Sequence, residues 1–385
     1  VDIRSNGFLD DYNRARANLL LTGNPACVSA GCQTLTVFPN LAGGGSLGST
    51  TVRNLLRSGA VADLARRYVQ LGQTGTVQIL PNPNMGILDL LGNLGKSNYN
   101  ALQVEVRRRF SQGLFLQGNY TFQKTLTDIS PGNPGLNNDN QTRVEAFLDN
   151  ANPHLDYGRA DYDQTHVVNV DAVYDLPFGK GKHFLKTDSK ALDRLIGGWQ
   201  VGGILRLNTG TPLTIVDPRG TLNRAGRSAN QTAVTNLTND QISNLIGIFK
   251  QNGNIYYIDP SVISAQGRGA SAFGQPTFSG QVFFDNAPGQ SGTLARSTIN
   301  GPLFSQIDMS LTKNIRISES VRFQIRADAF NLLNHSNFQI GVLDPNVGVN
   351  NIIFNVNSPT FGQITNTFNL SGLNRVIQVA GRFEF

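Results

Sequence analysis

Four aspartates, Asp149, Asp156, Asp161 and Asp163, crowd one short stretch of the chain. Carboxylate oxygens at that density can hold a divalent cation such as calcium or magnesium. An acidic lip solvated by water is the alternative, so Asp156, Asp161 and Asp163 stand only as metal-ligand candidates. The histidines His154, His166, His183 and His335 are scattered and form no HExxH pattern. The glycine-rich "GGGSLG" at 43–48 formally fits both a dinucleotide-binding turn and an esterase elbow. No βαβ unit and no acidic residue at the expected place follow it, and an esterase triad would need distant loops to complete it. The expectation is a protein that is not an enzyme and needs no cofactor.

Cys27 and Cys32 are the two cysteines, in "CVSAGC". A close pair without a nearby His cannot complete a four-ligand zinc site. A small-loop disulfide formed in an oxidising compartment is expected, with two free thiols as the alternative. Six arginines form a third group: Arg107, Arg109, Arg206, Arg322, Arg326 and Arg382 share the polar phase of alternating segments. Facing a lumen, they either attract an anionic ligand, or pair with carboxylates such as Glu105, Asp308, Asp328 and Glu384, or contact a plug. The net charge of +6 is scattered except at Arg107-Arg108-Arg109. A nucleic-acid footprint would be a clustered basic patch with interleaved aromatics, and none is present.

The elements that carry these residues are strands. Apolar residues make up 39% of the 385 and charged residues 15%, which suits sheets with one apolar and one neutral-polar face. Seven segments alternate with period 2: "LQVEVRRRF", "LFLQGNYTFQ", "VVNVDAVYDL", "WQVGGILRLNTG", "IDMSLTKNIRI", "VRFQIRADAF" and the closing 375–385. Each runs about ten residues, the span of a tilted strand across a bilayer. Tight turns "SQG" and "SES" and a longer link at 177–198 alternate with long connections at about 125–162, 216–304 and 334–374. A transmembrane barrel has this rhythm, with short periplasmic turns and long extracellular loops. A soluble β-sandwich would rarely carry three long, structureless loops at one end.

Aromatics gather near strand ends on the apolar phase, where interfacial girdles lie. Arg108 and Lys313 break that phase close to tight turns, where long side chains are expected to snorkel to headgroups. Residues 1–97 read as one large extracellular loop region with helical spacing at 7–21 and 51–72, and residues 98–385 as the strands. No apolar run of about 18 residues exists, which excludes a helical span. The chain opens on Val1 without a signal-peptide pattern, as a cut end would.

The phrases "SNYNALQVEVRRRFSQGLFLQGNYTFQKTL", "DYGRADYDQTHVVNVDAVYDLPFGKGK", "GGWQVGGILRLNTGTPLTI", "GPLFSQIDMSLTKNIRI" and "VRFQIRADAFNLLNHSNF" carry a resemblance. In this order they resemble the C-terminal barrel of a TonB-dependent outer-membrane receptor. The subtype is the acidobacterial kind with a carboxypeptidase-regulatory-like N-terminal domain.

The resemblance implies an all-β fold, the last seven strands of a barrel of about 22. It implies energised uptake of a scarce or bulky ligand across the outer membrane of a Gram-negative bacterium, with siderophore, cobalamin, glycan and peptide all left open. Its implied partners are membrane lipid, the TonB complex through a missing N-terminal part, and the barrel-assembly machinery. That machinery would read Phe383 and Phe385 on the last strand. No plug or TonB box is recognisable in the sequence. An adhesive or structural barrel, whose loops bind surfaces without transport, is the competing expectation.

Overall fold

The computed structural model describes residues 1–85, 95–128, 147–149, 151–222, 231–339, 354–364, 366–367 and 374–385. Its main feature is an antiparallel sheet of seven long strands, each paired with its neighbours in sequence. They are β1 (Ser97–Ser111), β2 (Leu114–Thr127), β3 (His166–Asp175) and β4 (Trp199–Asn208). β5 (Phe304–Arg316), β6 (Arg322–Phe330) and β7 (Val376–Glu384) complete it. Gly158–Arg159 adds a short strand onto β2. The sheet is open, with β1 and β7 at its edges, and does not close into a barrel among the described residues.

Register keeps the two phases on opposite faces across the whole sheet. Val106, Gly118, Val170, Leu205 and Ile307 are successive cross-strand partners from β1 to β5. One residue away, Glu105, Asn119, Asn169, Arg206 and Gln306 form the parallel row on the other face. A slip of one residue anywhere would mix the rows, so the alternation fixes the pairing. Between β1 and β2, Gln112 and Gly113 both take positive φ (54° and 80°). That is the two-residue turn whose twist matches the strands it joins.

The turns 112–113 and 317–321 and the link 176–198 lie at one end of the sheet. The N-terminal region and the three long connections lie at the other. The expectation of structureless loops is overturned at this loop end. Residues 3–79 pack around Phe8, Tyr12, Phe38, Leu56, Leu64 and Tyr68. A second buried cluster gathers Ile215, Ile258, Phe283, Val356 and Phe361 from short strand pairs in the connections. Neither cluster draws a residue from the seven strands. Long connections therefore fold into a cap with its own apolar core. Residues 129–146, 150, 223–230, 340–353, 365 and 368–373, parts of all three expected loops, lie outside the described residues.

Three helices build the N-terminal half of the cap: α1 (Phe8–Thr22), α2 (Thr50–Ser58) and α3 (Val61–Gln70). The single helical stretch expected over 51–72 is broken at Gly59, whose φ of 76° ends α2. The Gly59 and Ala60 amides return to Leu55 and Leu56 carbonyls, a glycine-terminated cap. At the turn end, α4 (Lys190–Ile196) lies in the β3–β4 link, and α5 (Asn239–Asn244) belongs to the cap. None of the helices among the described residues is long and apolar enough to cross a membrane.

Candidate functional site

The sheet's polar face carries the arginines in alternation. Arg326 lies 2.8 Å from Asp328, while Arg322 and Arg382 lie 3.8 and 3.6 Å from the two oxygens of Glu384. Arg107, Arg109 and Arg206 form no ion pair among the described residues. The carboxylates expected as partners divide likewise. Asp308 instead accepts hydrogen bonds from the Gln306 side chain and the Asn331 amide. Amide side chains fill the rest of the face, with Asn169 donating to Asn119 and Gln200 to Asp175. The result is a wet, hydrogen-bonding wall with three free guanidinium groups, able to guide an anionic or hydroxyl-rich solute.

The other face behaves as no water-facing surface does. Leu102, Val106, Phe110, Ile377, Val379 and Phe383 are each more than half exposed. Exposed apolar patches of that extent mark a surface covered by another medium. Aromatic rings concentrate at its turn end. Phe323 stacks on Phe383 with centroids 4.4 Å apart, and Phe383 on Phe385 at 6.3 Å. At the loop end, the Tyr120 hydroxyl meets His166 Nδ1 at 2.9 Å, and Phe122 packs beside the same imidazole.

Lys313 departs from its expected role. It does not snorkel outward; it is 5% exposed, covered by α4. Its ammonium donates to the carbonyls of Leu195 (3.0 Å) and Gly197 and lies 5.1 Å over the Trp199 ring. A cation at a helix C-terminus meets the negative end of the helix dipole. Arg108 does reach past the turn, toward the Ser111 carbonyl and Gln112.

The acidic cluster does not assemble as a metal site. Asp156 is paired with Arg296 at 2.7 Å and accepts the Leu148 amide. Burial pushes its carboxyl pKa up, against the pull of Arg296. Asp163 accepts from the Thr125 amide at 2.8 Å and from Arg159 at 3.0 Å. Asp149 caps the Ala151 amide, and Asp161 joins none of these pairs. Asp163 pins its connection to the end of β2, and Asp156 ties one connection to another. Among the described residues no group of three His, Cys, Asp or Glu side chains could hold a metal ion.

Two other motifs resolve into architecture. Cys27 and Cys32 are joined by a disulfide, their Cα atoms 5.8 Å apart. In "GGGSLG", Gly43, Gly44 and Gly45 all take left-handed backbone conformations (φ 60–68°). A Cβ on Gly45 would come within 2.6 Å of the Phe38 ring, and the Gly45 carbonyl accepts the Tyr68 hydroxyl. Gly45 thus lets the backbone press onto the core of the cap.

Sequence reading missed the centre of the cap. Arg219 donates to both oxygens of fully buried Asp217 and lies 3.3 Å from Asp285. It also donates to the Ser58 carbonyl at the end of α2 and the Asn286 carbonyl. Asn357 closes the group by bridging Asp285 (2.9 Å) and Asp217 (3.3 Å). Burial opposes the guanidinium charge, but Asp217 and then Asp285 outweigh it and hold its pKa above the ordinary value. Burial likewise raises the Asp285 carboxyl pKa despite Arg219. The only signal in the sequence was "DPRG" in 217–220, which a turn explains equally well.

A family model described as an outer membrane beta barrel domain matches residues 45–378. No curated protein matches the chain. No solved structure matches it.

Proposed function

The chain belongs to the outer membrane beta barrel domain family, and from that premise we propose that it is the C-terminal barrel portion of a TonB-dependent receptor working in energised uptake. Its place is the outer membrane of a Gram-negative bacterium. The observation that carries the proposal is the division of the sheet: an apolar face for lipid, interrupted in phase by Arg108 and Lys313 near the turn end, and a polar face on which Arg107, Arg109 and Arg206 form no ion pair among the described residues. A purely structural wall has no need of free guanidinium groups on its inner side, whereas a passage for anionic or hydroxyl-rich ligands does. The phrases shared with TonB-dependent receptors support the same reading.

In this reading the cap faces the outside and makes the first contact with ligand, since short turns lie at the periplasmic end. TonB supplies the force through a part of the receptor upstream of these strands. Phe383 on β7 and Phe385 just after it are the aromatic residues that the resemblance assigns to the assembly machinery. The protein performs no covalent chemistry and carries no cofactor.

Crosslinking of the intact receptor in living cells tests this, with and without a protonophore. A receptor crosslink to TonB that weakens when the proton gradient is discharged supports uptake. A receptor that never crosslinks to TonB, yet confers surface binding lost on deleting cap residues 214–299, overturns uptake in favour of an adhesive barrel.

A further inference from the structure

We propose that the β3–β4 link, with α4 at its C-terminal end, is a lipid anchor seated in the anionic headgroup layer of the periplasmic leaflet. This goes beyond the uptake reading and rests only on the membrane placement of the sheet.

The first observation is which face α4 covers. Lys313 and Trp199 are cross-strand partners on the apolar phase of β5 and β4. Lys313 holds the carbonyls of Leu195 and Gly197, and the Trp199 indole N–H donates to the Leu195 carbonyl at 3.2 Å. The helix is therefore tied to the outward, lipid-facing side of the sheet at its periplasmic end. A segment in that position has lipid beside it.

The second observation is what the link exposes. Phe184 is 62% exposed, Leu185 61%, Leu192 53% and Leu195 71%. These apolar groups lie at the same turn end of the sheet as Trp199 and the stacked Phe323 and Phe383 rings. Interfacial helices bury such a face at the headgroup–acyl boundary.

The third observation is charge. Lys180, Lys182, Lys186, Lys190 and Arg194 are exposed on the same link, against Asp188 and Asp193. A cleft of about 430 Å³ beside it is lined by Arg194, Arg316, Ile317, Ser318 and Glu319. In this open cleft the Arg194 and Arg316 guanidinium groups outnumber the one carboxylate, Glu319, and the net positive charge suits a phosphate diester. Apolar groups flanked by a net positive charge fit an anionic lipid surface better than an acidic protein, because Phe184 and Leu195 need an apolar medium.

Depth-dependent quenching tests the anchor. With both native cysteines in a disulfide, Leu195→Cys gives one free thiol for an environment-sensitive fluorophore in the full chain. Leu311→Cys, on the apolar face of β5, serves as the reference. The protein is reconstituted in phosphatidylcholine vesicles, and in vesicles of phosphatidylcholine and phosphatidylglycerol in equal parts. Nitroxides are placed shallow or deep on the acyl chains.

The Leu195 label is expected to quench roughly twice as strongly with the shallow nitroxide as with the deep one. Neutralising Lys186, Lys190 and Arg194 to Gln is expected to weaken the anionic-lipid dependence by about fivefold per charge. Quenching at Leu311 without quenching at Leu195 overturns the anchor and leaves the membrane placement standing. Absence of quenching at both positions overturns the placement itself, and the anchor with it. Leu195 quenching that is equal in both vesicle types overturns the anionic part of the proposal.

Discussion

The sheet and the cap obey opposite rules for where apolar side chains go. In the cap, Phe8, Phe38 and Leu64 are fully buried in one apolar cluster and Phe283 and Phe361 in the other, as in any water-soluble domain. In the sheet, Ile377 is 66% exposed and Val379 70%, with no layer packed over them. One polypeptide is thus written for two solvents. Water organises the cap by excluding its apolar groups, whereas the sheet's apolar face is satisfied only by hydrocarbon. The difference teaches that exposure on its own does not signal instability; the medium next to the face decides.

The largest expected effect lies in the cap. Arg219→Ala leaves buried Asp217 without its counter-ion and is expected to cost the cap about 3–5 kcal/mol. Limited proteolysis of the cap across a urea series measures the loss. Emission from Trp199, the sole tryptophan, reports the sheet and is expected not to move. A joint shift of both signals would mean that the two regions unfold as one.

Neighbouring residues give the next test. Val170→Arg places a charge on the lipid-facing row and is expected to destabilise the membrane-inserted sheet by about 2–4 kcal/mol. Asn169→Arg, one position away on the polar row, is expected to change little. The fraction of heat-modifiable, assembled protein in outer membranes reads both. Equal losses would erase the distinction between the faces.

A smaller effect concerns pH. Asp285 and Asp156 have carboxyl pKa values raised by burial, so the folded cap binds their protons more tightly than the unfolded chain does. Their contribution to stability therefore falls as pH rises from the ordinary carboxylate value through the raised one. Asp285→Asn is expected to flatten that slope in urea midpoints measured across the acidic range. The smallest effect is expected from Arg382→Gln, whose pairing with Glu384 is long and exposed: under about 1 kcal/mol. A larger loss in the same unfolding assay would mean that the polar face is less wet than its hydrogen bonds suggest.

The two regions also differed in how readily they could be read from sequence. Each of the seven strands announces itself, because a face in lipid and a face in water must alternate at every residue. Val104 and Glu105 could hardly exchange phases without breaking five strands of register. The cap offers no such period. Ile215, Phe283 and Phe361 meet through two-residue pairings far apart in sequence, so no window contains their pattern. Gly59 divided an apolar stripe that looked continuous. Asp11 shows the limit most clearly: its carboxylate accepts the amides of Thr36, Val37 and Phe38, and nothing around position 11 hints at it. The site was legible where charges ride on strands, and illegible where they pair across connections, as Asp156 does with Arg296.

Pairing every strand with its sequence neighbour also sets an order of events. The β1–β2 hairpin closes across two residues, 112–113, and needs nothing else in place. β4 and β5 meet only after the chain from 209 to 303 has been gathered. For a flexible chain the longer closure costs roughly 3 kcal/mol more, growing only with the logarithm of length. A prefolded cap removes most of that difference by holding residues 213 and 299 together through their own short pairing. The cap thus doubles as a clamp that lets a distant strand arrive almost as easily as an adjacent one.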